Sequence, residues 1–145
     1  MALELLDALG SFAVWTFGYG LSLDDLQSDA DIENDDLGDG YNNMMEYALG
    51  MNPTNSDAGS MESIGTATEG GTNWFEYVHN RRSDYVAQGL SYLLIDTTNL
   101  LGSVSNTNAQ DQILVGDEVG GYEPVTNRYK ADDPAKFIRL NIRMD

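Results

Sequence analysis

Residues 35–46 read Asp-Asp-Leu-Gly-Asp-Gly-Tyr-Asn-Asn-Met-Met-Glu, and Asp35, Asp39, Gly40 and Glu46 fall at positions 1, 5, 6 and 12 of a twelve-residue calcium loop. Ca²⁺ takes six to eight hard oxygen ligands, which such a loop gathers from alternate positions and from a final bidentate Glu. Gly40 permits the sharp backbone turn, Tyr41 offers its carbonyl, and Asn43 at position 9 ligates directly or through water. Position 3 breaks the pattern, because Leu37 stands where Asp or Asn is usual. Asp29, Asp31, Glu33 or water must then supply the missing oxygen. The plainer alternative is a solvated acidic loop that caps the following helix.

The charge distribution bears on that choice. The 145-residue chain carries a net charge of −17, and its first eighty residues hold 15 of the 24 acids with no Lys or Arg before Arg81. Eight carboxylates lie between Asp24 and Asp39. Repulsion at that density opposes a compact segment unless cations offset it. The same charge repels phosphate backbones, so nucleic acid is excluded as a partner. There is no cysteine, which removes disulfides and thiolate metal sites. No apolar run is long enough to span a membrane as a helix. Met1–Asp7 has no basic residue and carries Glu4 and Asp7, unlike a secretory signal, so the sequence is expected to be a mature product or an excised part.

Catalytic patterns are missing. His79 is the sole histidine, in a stretch where it alternates with Phe75 and Tyr77, and is expected to be structural. No Gly-x-Ser-x-Gly nucleophile is present, and zinc would need further His or Cys ligands. The pairs Asp24/Asp25 and Asp35/Asp36 sit in the ion-rich loop and read as ligands or their neighbours rather than as a glycosidase pair. Gly65–Gly71 contains no Lys and precedes a strand, so it is no phosphate loop. The chain is expected not to be an enzyme.

The elements that must hold the loop follow from the pattern around it. Leu3, Leu5, Leu6 and Leu9 give residues 2–9 an apolar helical face, and Ser11 can cap a second apolar segment, residues 12–20. Its stripe of Phe12, Trp15 and Tyr19 is expected in the core. Residues 21–40 lack periodicity and read as loop. Tyr41, Met44, Met45, Ala48 and Leu49 form one face of a short helix that stops at Gly50 with Pro53 beyond. Residues 55–73 are small, polar and glycine-rich, the chemistry of a linker or long loop. Strands are then expected at 74–80, 90–97, 112–116, 123–128 and 136–144, with Val119-Gly-Gly-Tyr as a turn. Ile138, Leu140, Ile142 and Met144 alternate with Arg139, Asn141 and Arg143, giving one buried and one wet face. The fold class expected is α+β, mainly β: short N-terminal helices around a calcium loop, then a small antiparallel β-sandwich. The division expected is a helical calcium-loop lobe at 1–58, a linker at 59–73 and a β lobe at 74–145.

Residues 38–54, Gly-Asp-Gly-Tyr-Asn-Asn-Met-Met-Glu-Tyr-Ala-Leu-Gly-Met-Asn-Pro-Thr, resemble the "DGDGxxNxxEYALGxxP" signature of C-terminal modules in secreted proteins of Verrucomicrobia, Planctomycetes and their relatives. That signature itself resembles thrombospondin type-3 and dockerin-type calcium repeats. Residues 74–82 are similar to the family's aromatic-rich strand, 90–100 to its "LxYxxxxSTDL" strand and 136–143 to its closing "RFxRLxV" strand. Leu37 and the extra Ile32-Glu33-Asn34 depart from the pattern. The resemblance implies an extracellular accessory module at the cell surface or secreted, with Ca²⁺ as its ion, and supplies no activity by itself.

Three functions are compatible with these readings. The first is an extracellular structural or adhesive module folded by calcium. The second is a carbohydrate-binding module of a polysaccharide-degrading protein, with Trp74, Tyr85 and Tyr122 as stacking candidates beside Tyr77 and Tyr92. The third is a self-assembling subunit of a filament or surface layer, docking on a parent domain or on other copies through the apolar segment 1–19.

Overall fold

The computed structural model describes residues 12, 14–20, 41–54, 62–97, 105–132 and 136–144. The architecture is mainly β, two antiparallel sheets with two short helices. Helix α1 is helical at 12 and 14–18, and α2 is Asn43–Leu49. The strands are β1 (Glu62–Glu69), β2 (Thr72–Arg82), β3 (Leu90–Thr97), β4 (Asn106–Thr107), β5 (Gln112–Val115), β6 (Tyr122–Lys130) and β7 (Phe137–Met144). One sheet has the order β1-β2-β6-β5 and the other β4-β3-β7, with every pairing antiparallel.

The stretch 59–73, expected as a linker, instead contains β1 and the turn that folds it onto β2. Glu69 pairs with Thr72 across a two-residue loop of Gly70 and Gly71, at φ 59° and 80°. Two positive-φ residues make the hairpin turn whose twist matches that of the strands, and glycine reaches it without steric cost. The small residues of β1 build a strand because β2 supplies the partner, and Ile64, Thr66 and Thr68 are β-branched at alternate positions. Composition read one strand at a time misses this. All five expected strands are present with boundaries shifted by a few residues at most, β1 and β4 are additional, and the turn at Val119–Tyr122 joins β5 to β6.

Strand β7 has the alternation its sequence predicts: Ile142 is buried, Ile138 and Leu140 are partly buried, and Arg139, Asn141 and Arg143 are exposed. Its partner β3 buries Leu90 and Leu94 on the same side. Over that surface lies a core of Phe12, Tyr47, Ala48, Leu49, Met51, Leu90 and Ile142, with Met44 and Met45 at its margin. Helix α1 and α2 thus share buried surface with β3 and β7. The aromatic stripe of α1 is divided. Phe12 and Trp15 rest on Tyr47, at 5.1 and 5.3 Å between ring centroids, whereas Tyr19 is exposed. Fully burying side chains the size of Tyr47 and Leu49 contributes about 1.5–3 kcal/mol each.

Side chains connect the sheets directly, among them the Tyr92 hydroxyl of β3, which accepts from the Arg82 N–H of β2 at 3.1 Å. His79 of β2 stacks on Tyr92 of β3, with centroids 5.5 Å apart and planes inclined by 14°. Lys136, just before β7, bonds Asp96 of β3 at 3.0 Å and lies 5.0 Å from the ring centre of Tyr129 in β6. Among the described residues no helix is long and apolar enough to cross a membrane.

Candidate functional site

Helix α2 holds Asn43 and Glu46, the two side-chain oxygen groups of the expected calcium loop that fall among the described residues. Asn42 caps it: its side-chain oxygen accepts from the Met45 N–H at 2.9 Å while its carbonyl accepts from the Glu46 N–H. Asn43 and Glu46 then project three residues apart, on neighbouring positions of one helical face. Both are only 1% exposed. A carboxylate and an amide oxygen are thereby taken from water at loop positions 9 and 12. Tyr41, whose carbonyl is expected as the ligand at position 7, donates its hydroxyl to Glu62 of β1, which also accepts from Tyr77 of β2. Asp29, Asp31, Glu33, Asp35 and Asp39 lie outside the described residues. Among the described residues no three His, Asp or Glu side chains converge as a metal site.

The helix is fixed by its far end. Gly50 takes φ 82° and its N–H returns to the Glu46 carbonyl, to which Met51 also donates at 2.8 Å. A Cβ at Gly50 would be strained by that φ and would press on the Tyr122 ring at 3.2 Å. The next three carbonyls accept from side chains of the sheets. Tyr122 donates to Tyr47 O at 2.7 Å, Tyr92 to Ala48 O at 2.6 Å and Asn80 Nδ2 to Leu49 O at 3.4 Å. Burial pushes the phenols of Tyr92 and Tyr122 above their usual range, so both remain donors at physiological pH. The Arg82 guanidinium, 4.2 Å from the Tyr47 ring centre, adds a positive charge beside the C-terminal end of the helix. Residues from β2, β3 and β6 therefore set where Asn43 and Glu46 point.

Of the aromatic candidates for a sugar, none presents an unencumbered ring. Trp74 is buried on the face it shares with Glu76 and Arg128, and Arg128 lies 5.7 Å over it. Arg81 covers Tyr85 at 4.4 Å, and Tyr85 meets Tyr92 edge-on. Tyr122 is committed to the helix end. Alternation allowed Trp74 either face, and an arginine paired with Glu69 and Glu76 lies over it on the outer one. His79 is buried, with Nδ1 against Asn80 O, in keeping with a structural role.

Sequence reading missed Glu62, because it lies in the stretch taken for a linker. It lines a cavity of about 630 Å³ between the β1 edge of one sheet and the β7 edge of the other, walled by Met45, Ile64, Ile138, Arg139 and Leu140. The acidic residue before a β-branched alternation was the available signal. No protein-family model, curated protein or solved structure matches this chain.

Proposed function

We propose that the chain is a calcium-stabilised, non-catalytic structural or adhesive module that works outside the cell, of the kind its residues 38–54 resemble. Its two sheets form a small β-sandwich, and its acidic loop is drawn together by the ion. The reading is carried by the burial of Asn43 and Glu46, the two side chains of loop positions 9 and 12, on one face of α2. A carboxylate at loop position 12 and an amide oxygen at position 9 on one helical face are hard oxygen ligands in the places a bidentate Glu and its neighbour take around a divalent cation. The donor set is all oxygen, which suits calcium and not a soft metal. The stacking of His79 on Tyr92 and the reach of Lys136 to Tyr129 support the sandwich.

Calorimetric titration of the chain with Ca²⁺, together with melting curves in calcium and in excess chelator, tests the proposal. Calcium at about one hundred times its Kd should add about 2.7 kcal/mol of stability. Glu46→Gln should abolish most of that gain, and Asp36→Asn at loop position 2 should leave it nearly intact. A melting temperature that ignores both calcium and chelator would sink the reading.

A further inference from the structure

Strand β5 is an open edge of its sheet, and its side chains are uncovered on both faces. Ile113, Leu114 and Val115 are 54%, 46% and 49% exposed. Ile113 and Val115 pair with Asn127 and Val125 and so share their inward face, yet Asn127 and Val125 are buried. The contrast comes from the unequal sheets: four strands in one, three in the other, so that nothing among the described residues covers the last strand.

The edge also lacks the usual protection. Proteins blunt free edges with charges or with very short strands. Strand β1 carries Glu62 and Glu69, β7 carries Arg139 and Arg143, and β4 is two residues long. Gln112–Val115 carries no charge in a chain of 31 charged residues. Its free backbone groups can be assigned from the ladder. The Gly116 N–H donates to Pro124 O at 2.8 Å, so alternate residues Leu114 and Gln112 also turn their backbone groups towards β6. The N–H and C=O of Ile113 and Val115 point outward, available to an added strand.

We propose that β5 is a docking edge for an extended segment of another protein with an apolar, β-branched centre flanked by Lys or Arg. Main-chain pairing gives such a strand its affinity, and its alternate side chains fill the space over Ile113 and Val115. Charge selects the flanks. Asp111 precedes the strand, Asp117 and Glu118 follow it, and the whole chain stands at −17. A second copy paired antiparallel on the same edge would bring these acids and both net charges together, which opposes self-association and favours a basic partner. Gln112–Val115 shares no residue with the expected calcium loop at 35–46, so failure of peptide binding and failure of calcium binding are told apart.

The probe is a fluorescein-labelled peptide, Lys-Arg-Val-Thr-Ile-Thr-Val-Thr-Arg-Lys, followed by anisotropy against the full chain. It should bind saturably and weaken at least about tenfold as salt rises from about 50 mM to about 500 mM. A peptide with Glu at the four basic positions should bind at least about tenfold more weakly. Val115→Pro removes an outward N–H and leaves the β5–β6 ladder intact, so it should lower affinity about tenfold or more with little change in melting temperature. Asp117→Lys, at an exposed residue outside the strand, keeps the test decisive if the proline variant does not fold. It should weaken the basic peptide about threefold or more. Equal binding of both peptides, or no effect of either substitution, overturns the proposal. Sedimentation showing a dimer that Val115→Pro dissociates also overturns it, by making a second copy the occupant.

Discussion

Removing the ammonium group of Lys136 should unfold this protein more easily than any single change on its surface. Lys136 Nζ lies 3.0 Å from Asp96 Oδ2, and the two side chains are 12% and 2% exposed. Oδ1 of Asp96 is buried and accepts no hydrogen bond among the described residues, so the lysine is the main compensation for that carboxylate. At an effective dielectric constant of about 20 the attraction over this distance is about 5 kcal/mol, against which both desolvation costs are set. Lys136→Met takes the ammonium from both Asp96 and the Tyr129 ring and leaves the carboxylate buried alone. The expected loss is about 3–5 kcal/mol. For a domain of this length that corresponds to a melting temperature lower by about 10 °C. Urea unfolding of Lys136→Met, Asp96→Asn and the double variant completes the cycle. The double variant should be more stable than Lys136→Met, with a coupling of about 2–3 kcal/mol. Lys130→Met, at an exposed lysine, is the control. If Lys136→Met falls within about 1 kcal/mol of that control, the pair is not buried as described and the reasoning fails.

Two further outcomes are expected. Tyr92→Phe strands the buried Ala48 carbonyl and removes the acceptor of the Arg82 N–H, and should cost about 1–3 kcal/mol in urea unfolding; a loss below about 0.5 kcal/mol would mean that the helix end is not held by the sheet. Burial lowers the pKa of His79 below 6.5, reinforced by Arg81 and only partly offset by Asn80. The unfolded chain then takes up a proton that the folded chain refuses, so stability should be full above about pH 6.5 and fall below it, by at most about 1.4 kcal/mol per pH unit. His79→Phe should remove that part of the pH dependence, and identical slopes for parent and variant would contradict it.

Local chemistry made much of the fold legible. Alternation in residues 136–144 names the buried and wet faces of β7, because one side chain in two must face the core when one side of a strand is covered. The helix at 43–49 could be read from its apolar face, Asn42 before it and Gly50 after it, since capping and left-handed backbone are properties of single residues. The calcium spacing of residues 35–46 is equally local, and its residues 35–40 lie outside the described residues. Strand β1 was not legible, because a short polar, glycine-bearing segment becomes a strand through its partner rather than through its composition. Nor was the fate of Trp74, whose cover, Arg128, arrives from a strand more than fifty residues further along.

The sequence by itself determined where the chain turns and which side of each clear strand is apolar. These depend on spacing, charge and backbone preference within a few residues. Only the tertiary structure decided that Tyr92 and Tyr122 hold the end of α2, that Lys136 answers Asp96, and that β5 has no cover. Each of these depends on which strand lies beside or across from another. That placement is settled by strand pairing and core packing over the whole chain, at separations that no local pattern encodes.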